Sequence, residues 1–240
     1  METYTADTLF DPPVTIFQPR TGYRFSLDSL ILAAHIHPNP MDRIFDLGCG
    51  CGIVSLILGA RHKDIQITGI EIQKELAWLA RKNAAQNGME SRFRILHQDI
   101  RKVSLTEMPQ PADIIVSNPP YKKKASGRLN PDRGKAIARH EITLDLATLT
   151  DRAAHLVKPG GQFILILPAP RLDELVLCLT SAGFAPHWIR MIHFRPAAPA
   201  ERVLVSAVKS NEISCTTRPP LHLCNPDRTP TEDYLRLLNL

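Results

Sequence analysis

Segments of strand and helix character alternate along most of this 240-residue chain, and the alternation limits the folds it can adopt. Apolar, β-branched segments at residues 43–47, 65–70, 92–97, 113–117 and 162–167 are separated by stretches with helical spacing of apolar residues. Strands joined through helices pair in parallel, and such sheets bind ligands at the carboxyl ends of the strands. We therefore predict an α/β, Rossmann-like fold with helices on both faces of a mostly parallel sheet.

Two more segments complete the predicted sheet. Residues 188–194 and 202–208 have strand character and are joined by a loop rich in Pro and Ala, which brings the predicted count to seven strands. Near the other end of the chain, a helix is predicted to begin after Ser26 as its N-cap and to end before Pro38.

The chain length is that of one domain with small extensions. We predict a single domain made of an N-terminal segment and helix at residues 1–40, a core at 41–210 and a proline-rich tail at 211–240. Residues 1–21 are expected to lie along the surface without regular structure, and the tail to be loop-like except for a short helix at 233–238.

The composition predicts a folded protein of the cytoplasm. Apolar residues make up 44% of the chain and charged residues 22%, which is ordinary for a globular protein. The longest apolar run, Ile53 to Ala60, is too short to span a bilayer, and the first seven residues lack the features of a signal peptide. The five cysteines show no zinc spacing, so we expect no disulfide, no metal and no membrane contact.

The first predicted strand ends in a glycine turn with the sequence Asp46-Leu47-Gly48-Cys49-Gly50-Cys51-Gly52. Glycines at such a turn let backbone N–H groups approach a ligand with no Cβ in the way. A nicotinamide fingerprint would need glycine at position 53, which is Ile, and no Gly-Lys-Ser/Thr of a phosphate loop follows. Asp46 favours a ligand with a cationic ammonium group. The alternative is that the glycines only pack the helix against the strand.

Two more acids follow the next two strands. Glu71 lies about twenty residues after the glycines, where a carboxylate accepts hydrogen bonds from both hydroxyls of a ribose. Asp99 and Ile100 are placed to accept from an adenine amino group and to cover its ring. Each acid alone also suits a helix cap, but together with Asp46 they occupy three successive strand ends, which favours a ligand site.

The fourth strand ends in the corner Asn118-Pro119-Pro120-Tyr121. Proline fixes its own φ and holds the residue before it extended, so Asn118 is aimed beyond the strand end. The Asn118 amide, the Pro119 carbonyl and the flat Tyr121 ring form a cradle for a planar group that bears an amine, such as a nucleobase. An ordinary Asn-Pro turn is the alternative.

A basic run follows this corner directly. Residues 122–139 hold seven basic side chains against one acid, whereas the whole chain has a net charge of +5. The seven are Lys122, Lys123, Lys124, Arg128, Arg133, Lys135 and Arg139. Beside a cradle for a base they are predicted to contact RNA phosphates, although a charge run is also typical of a solvated loop.

Taken together, the motifs resemble the class I S-adenosylmethionine-dependent methyltransferases over residues 22–208. Members of that family have a seven-stranded sheet whose last strand is antiparallel. The resemblance implies S-adenosylmethionine as the cofactor, with the methionine moiety at Asp46 and the glycine turn, the ribose at Glu71 and the adenine at Asp99. The implied cofactor-binding residues are Phe25, Ser26, Asp46, Gly48, Gly50, Gly52, Glu71, Ile72, Asp99, Ile100 and Asn118.

The Asn-Pro-Pro-Tyr corner resembles the branch that methylates amino nitrogens of planar groups, either adenine N6 or a glutamine amide. A closer resemblance is to the bacterial valine-tRNA adenine-N6 methyltransferases, which modify the adenine 3′ of the anticodon. It rests on residues 22–29, the corner, residues 130–132 and residues 139–141 used together. This resemblance implies a tRNA partner. The implied catalytic residues are Asn118, Pro119, Pro120 and Tyr121.

The reaction expected from the corner is an in-line displacement. Hydrogen bonds from the amine to Asn118 Oδ1 and to the Pro119 carbonyl favour a pyramidal nitrogen, and no strong general base is needed because the methylated amine is very acidic. His140 and Glu141 are expected to order the basic run instead. Two alternatives stay open: a glutamine-amide methyltransferase that acts on a protein, and a non-catalytic RNA-binding module on the same fold.

Overall fold

The computed structural model describes residues 4–9, 13–22, 24–108, 110–120, 145–210, 212 and 214–238. Tyr121, the basic run and the pair His140 and Glu141 lie outside the described residues, so the predictions about them stay predictions. The helices are α1 Leu27–Ala34, α2 Ile53–Arg61, α3 Lys74–Gln86, α4 Leu146–Leu156, α5 Leu172–Ser181 and α6 Glu232–Leu238.

Nine of the eleven described strands form one sheet. The strands are β1 Tyr4–Leu9, β2 Val14–Pro19, β3 Arg43–Leu47, β4 Gln66–Glu71, β5 Phe93–His97, β6 Ala112–Ser117, β7 Val157–Pro168, β8 Phe184–His193, β9 Ala200–Lys209, β10 Thr216–Thr217 and β11 Leu221–His222. The sheet order is β10-β8-β9-β7-β6-β3-β4-β5, with β11 also on β8. Strands β3 to β7 pair in parallel, and β9 is antiparallel to both β7 and β8.

This topology confirms the predicted α/β, mostly parallel sheet with an antiparallel closing strand. The predicted count of seven strands is wrong, because β10 and β11 of the tail extend the sheet at β8. Two-residue strands of this kind are too short to show an alternating pattern, so no periodic signal predicts them.

The central strands are buried on both faces. In β7, Phe163 and Leu165 belong to one apolar cluster, while Ile164 and Ile166 belong to the other. Helices α4 and α5 cover the cluster that contains Phe163 and Leu165, and helices α1, α2 and α3 cover the cluster that contains Ile164 and Ile166. Each fully buried aliphatic or aromatic side chain stabilises the fold by roughly 1.5–3 kcal/mol, so these two layers hold the strand ends in fixed positions.

The N-terminal residues form a hairpin rather than the irregular surface segment that was predicted. Strands β1 and β2 pair antiparallel, and two asparagines of α3 bind the backbone of β2 on its other side. Asn83 exchanges hydrogen bonds of 2.7 and 2.9 Å with the N–H and carbonyl of Phe17, and Asn87 does the same for Thr15 at 2.9 and 2.7 Å. The alternation in β2, with Val14 and Ile16 buried, is short and lies between Pro13 and Pro19, which explains the wrong prediction.

The tail packs on the core instead of forming a loop up to its helix. Leu221 of β11 is fully buried, and α6 packs against α1. Helix α6 begins one residue before the predicted start at 233. That residues 1–240 form one domain stays a prediction, which the presence of Val14, Ile16 and Leu221 in the same apolar cluster supports.

Among the described residues, no helix has the length and apolar character needed to cross a membrane. The same residues hold no group of three or more His, Cys, Asp or Glu side chains placed to share a metal ion.

Candidate active site at the carboxyl edge of the sheet

The glycine turn and the Asn-Pro-Pro corner lie side by side at the carboxyl edge of the sheet. Asp46 of β3 pairs with Val116 of β6, so the residues that follow each strand leave the sheet together. The buried Ser117 hydroxyl donates a 2.8 Å hydrogen bond to the carbonyl of Leu47, which joins the two strand ends directly. The predicted proximity of the two motifs is therefore a property of the fold.

The glycine turn needs glycine for two different reasons. Gly48, Gly50 and Gly52 have φ of +77°, +58° and +89°, a region that other residues rarely adopt. A Cβ added at Gly48 would meet no heavy atom within 4 Å, so this residue borders open space. A Cβ at Gly52 would lie 3.1 Å from the Phe93 ring, so this glycine also serves helix packing. Gly48 is therefore compatible with the ligand-site interpretation, and Gly52 with the packing interpretation.

The backbone of the turn is held by β4. The N–H groups of Gly48 and Cys49 both donate to the carbonyl of Ile70, at 2.9 and 3.1 Å. Gly69, which the sequence analysis did not single out, has a Cβ position only 2.8 Å from Cys49 Sγ. Glycine at position 69 therefore makes room for the turn, and the signal was a lone glycine inside a strand pattern.

Asp46 lies under this turn with its side chain inside the protein. It is 2% exposed, and its carboxylate accepts a 2.8 Å hydrogen bond from the Ser55 hydroxyl of α2. Burial raises the pKa of Asp46 to about 7, with a further increase from the negative charge of Glu71 that the Ser55 bond partly offsets. A buried carboxylate of this kind is stabilised by a cation nearby.

Glu71 closes the turn from the neighbouring strand. Its two oxygens accept the N–H groups of Gly50 at 2.9 Å and of Gln73 at 2.8 Å. Burial raises the pKa of Glu71, whereas these two backbone donors lower it. A carboxylate has about four lone-pair sites, so the two bonds leave acceptor capacity for hydroxyl groups of a ligand.

The two cysteines of the turn are structural. Cys49 and Cys51 are buried, and burial raises the pKa of the Cys51 thiol to about 12. The same cause raises the pKa of Cys49. Both thiols are therefore neutral and fill apolar space under the glycines rather than acting as nucleophiles.

These features fit the cationic part of S-adenosylmethionine. Two buried carboxylates border a glycine turn that has open space at Gly48. Opposite charge would lower the cost of keeping Asp46 and Glu71 ionised in the protein interior. The residues present thus offer the negative charge and the hydrogen-bond acceptors that the cofactor requires.

Asp99 and Ile100 lie at the end of β5, as predicted, but Asp99 already has a partner. Its carboxylate accepts the backbone N–H of Arg101 at 3.0 Å and the Arg101 Nε at 2.9 Å. These bonds lower the pKa of Asp99 and keep it charged. Ile100 and Ile72 are half-buried, with Ile100 packed against the apolar cluster of α4 and α5. An adenine amino group at Asp99 would share the carboxylate with Arg101.

Phe25 and Ser26 precede α1 at the same edge. The Phe25 N–H donates to Gln18 Oε1 at 3.3 Å, and its ring is partly buried against the core. Ser26 has the backbone conformation of an N-cap, but its side chain makes no capping hydrogen bond. The prediction of Ser26 as the N-cap is thus right for the position and wrong for the side-chain bond.

The corner is held by a residue that sequence reasoning placed only in the first turn of a helix. Asn118 is half-buried, and its Nδ2 donates a 2.9 Å hydrogen bond to the buried hydroxyl of Ser29 in α1. This bond makes the nitrogen the donor towards α1 and leaves Oδ1 as the acceptor atom of the carboxamide. Pro119 is buried and Pro120 is exposed, so the corner is only partly the exposed turn that was expected.

The supporting side chains Ser29, Ser55 and Ser117 were missed as site residues. Their only sequence signal was position: Ser29 within the motif before α1, and Ser117 directly before Asn118. A lone serine is compatible with so many roles that only the three-dimensional contacts reveal which ones matter.

Solved structures with similar folds are methyltransferases. A crystal structure of a predicted O-methyltransferase from Agrobacterium tumefaciens matches with a TM-score of 0.72 and 24% identity, over 89% of this chain and 95% of that one. The 16S rRNA N2 G1207 methyltransferase of T. thermophilus, in complex with AdoMet and guanosine, matches with a TM-score of 0.61 and 19% identity, over 87% of this chain and 51% of that one. At these identities the likeness shows the fold.

Curated relatives are closer in sequence. A Tolumonas auensis protein named tRNA1(Val) (adenine(37)-N6)-methyltransferase is 33% identical over 170 residues, which is 70% of this chain and 69% of the relative. A Porphyromonas gingivalis protein of the same name is 38% identical over 195 residues, which is 79% and 76% of the two chains.

The methyltransferase small domain family matches residues 24–169, which include every strand from β3 to β7 and all the candidate cofactor residues. Membership of this family on this fold confirms the predicted methyltransferase class and S-adenosylmethionine as the methyl donor. The chain therefore belongs to the methyltransferase small domain family, together with the proteins named tRNA1(Val) (adenine(37)-N6)-methyltransferase.

Proposed function

We propose that this methyltransferase acts on N6 of the adenine at position 37 of a valine tRNA. The observation that carries the proposal is the identity of 33–38% to proteins of that name over more than two thirds of their length. The neutral Asn118 amide beside the glycine turn supports it, because a neutral exocyclic amine is the chemistry that such an amide recognises. The predicted location in the cytoplasm is consistent with a tRNA substrate and is part of the proposal.

On the cofactor side, Asp46 and Glu71 would hold the methionine ammonium and the ribose hydroxyls, with Gly48 bordering the donor. Asp99 and Ile100 would meet the adenine ring of the cofactor. When bound, S-adenosylmethionine supplies an activated methyl group on a positively charged sulfur. The contribution of this chain is to align the two reactants. Such alignment lowers the activation free energy by at most about 7–11 kcal/mol relative to the reaction in free solution.

On the substrate side, Asn118 has the central role. Its Oδ1 and the carbonyl of Pro119 would accept the two N–H groups of the adenine amine, which favours the pyramidal nitrogen that attacks the methyl group. Ser29 would keep the amide in this orientation through its 2.9 Å bond to Nδ2. The predicted stacking of Tyr121 and the phosphate contacts of the basic run complete the proposal from sequence. The target adenine must leave its stack to reach the corner.

The test is nucleoside mass spectrometry of an unmodified valine tRNA transcript incubated with the protein and S-adenosylmethionine. We expect N6-methyladenine at position 37 and none in a matched transcript with guanine there. A methylated glutamine amide in a protein substrate, with unmodified tRNA, would instead support the alternative activity. RNA binding without methylation or cofactor binding would identify a non-catalytic module. The relatives favour neither of these two alternatives.

A further inference from the structure

A cavity of about 290 Å³ opens at the carboxyl edge next to the corner. Its lining residues come from the start of α1, from the end of β8, from the start of β9 and from the tail: Ser26, Leu27, Asp28, Ile31, Ile192, Phe194, Glu201, Arg202 and Leu223. Asn118, Pro119 and Pro120 are not part of this lining. The cavity is therefore separate from the place proposed for the target amine.

The cavity and the corner share the first turn of α1. Ser29 binds Asn118 on one side of the helix, and the adjacent Asp28 faces the cavity on another. Asp28 is only 8% exposed and accepts a 2.9 Å hydrogen bond from Arg202 Nε of β9. A ligand in the cavity would thus contact the same helix turn that carries Ser29, the partner of Asn118.

The walls combine an apolar floor, a polar side and an aromatic rim. Ile31 and Ile192 are 1% exposed and form part of the floor, while the Phe194 side chain is 43% exposed. The pair of buried Asp28 and half-buried Arg202 presents an acceptor and a donor together on one wall. A flat ring with polar edges matches this arrangement, since it can stack on Phe194 and reach the charged pair.

The tail fixes the rim. The backbone N–H groups of Leu223 and Cys224 donate to the carbonyls of His193 and Phe194, both at 2.9 Å. Residues 221–224 thereby hold Phe194 at the end of β8 and add Leu223 to the wall. This gives the proline-rich tail a definite place in the site, which the sequence did not reveal.

We propose that this cavity binds the base of a nucleotide directly adjacent to the target adenine in the RNA. The proposal rests on the proposed function, because it takes RNA as the substrate. The volume lies at the lower end of small-ligand sites, which span roughly 300–1,000 Å³, and suits a single base rather than a whole cofactor. The adjacent base explains the half-exposed aromatic ring at the rim of this cavity. A flipped target leaves its neighbours unstacked, and Phe194 replaces the lost stacking.

The experiment compares kcat/KM for an anticodon stem-loop RNA with that for two RNAs that carry an abasic ribose before or after the target adenine. For the unmodified protein we expect one abasic RNA to react roughly 5- to 100-fold more slowly, the value of one stacked base. The Phe194→Ala variant should show a similar decrease in kcat/KM on the intact RNA. On that abasic RNA, its kcat/KM should be almost the same as that of the unmodified protein. Phe194→Tyr keeps the ring and should behave as the unmodified protein.

Trp78→Ala is the matched control, since Trp78 is an aromatic residue of similar exposure, 49%, on α3. For Trp78→Ala, kcat/KM on the abasic RNA should fall by the same factor as for the unmodified protein. Cofactor affinity, measured by calorimetry, should be unchanged in every variant. The inference is overturned if the Phe194→Ala and abasic losses multiply, or if neither abasic RNA reacts more slowly. If the intact RNA is not methylated at all, the proposed function fails first and the inference with it.

Discussion

The glycine turn and the Asn-Pro-Pro corner end neighbouring strands, yet their polar groups differ in charge and in burial. The turn has two buried carboxylates whose hydrogen bonds come from the backbone N–H groups of Gly50 and Gln73 and from the Ser55 hydroxyl. The corner has a neutral, half-buried amide that the Ser29 hydroxyl of α1 helps to orient. One side of the site is thus prepared for a cation and the other for an uncharged amine.

The difference has an energetic reason. Burying Asp46 and Glu71 raises the pKa of both carboxyls, so their charge is costly until a cation arrives. A neutral amide carries no such cost, and its value lies in direction, which the prolines and Ser29 fix. We expect changes at the corner to alter turnover, and changes at the turn to alter cofactor affinity.

The largest effect is expected for Asn118→Ala. Removing the amide should lower kcat by at least about a hundredfold, comparable to the loss of one aligned hydrogen bond to the transition state. Cofactor affinity, measured by calorimetry, should stay near that of the unmodified protein because the glycine turn is untouched. Loss of cofactor binding with this variant would contradict the division between the two sides.

Asp46→Asn should weaken cofactor binding by about tenfold, the effect of losing one charge partner. Its effect on stability should have the opposite sign. The pKa of Asp46 is about 7 in the folded protein against 3.8 as a free side chain, so folding stability is lost as pH rises between these values. Asparagine does not titrate. Without cofactor, the variant should gain up to about 4 kcal/mol of unfolding free energy relative to the unmodified protein between pH 4 and pH 8.

Urea denaturation at the two pH values measures this change. Ser55 can still donate to the asparagine oxygen, so the variant keeps its local hydrogen bond. A difference in stability that does not vary with pH would mean that Asp46 is ionised at little cost, and the electrostatic contrast with the corner would disappear.

The smallest effect is expected for Ser29→Ala. It removes one hydrogen bond to Asn118, which is equivalent to a roughly 2- to 10-fold decrease in kcat. The KM for tRNA and the cofactor affinity should not change, and Ser29→Thr should restore most of the rate since it keeps the hydroxyl. If cofactor affinity falls while kcat is kept, Ser29 supports the turn instead of the corner.

Much of the fold followed from short-range patterns. Apolar runs and glycine or proline stops placed β3 to β7 within a few residues, because buried parallel strands are continuous in sequence. The hairpin β1–β2 was missed because the alternation in β2 is short and lies between two prolines, and its contacts to Asn83 and Asn87 span more than sixty residues. The strands β10 and β11 were missed because two residues carry no period.

For the site, the sequence alone supplied the candidate residues: Asp46, the glycines, Glu71, Asp99 and Asn118 were predicted from their types and from their places at strand ends. Only the tertiary structure decided what holds them, because the supporting residues Ser55, Ser117 and Ser29 are distant in the chain or carry no distinctive pattern. Strand ends are local features that a sequence records, whereas the contacts between elements arise when the helices and the tail pack on the sheet.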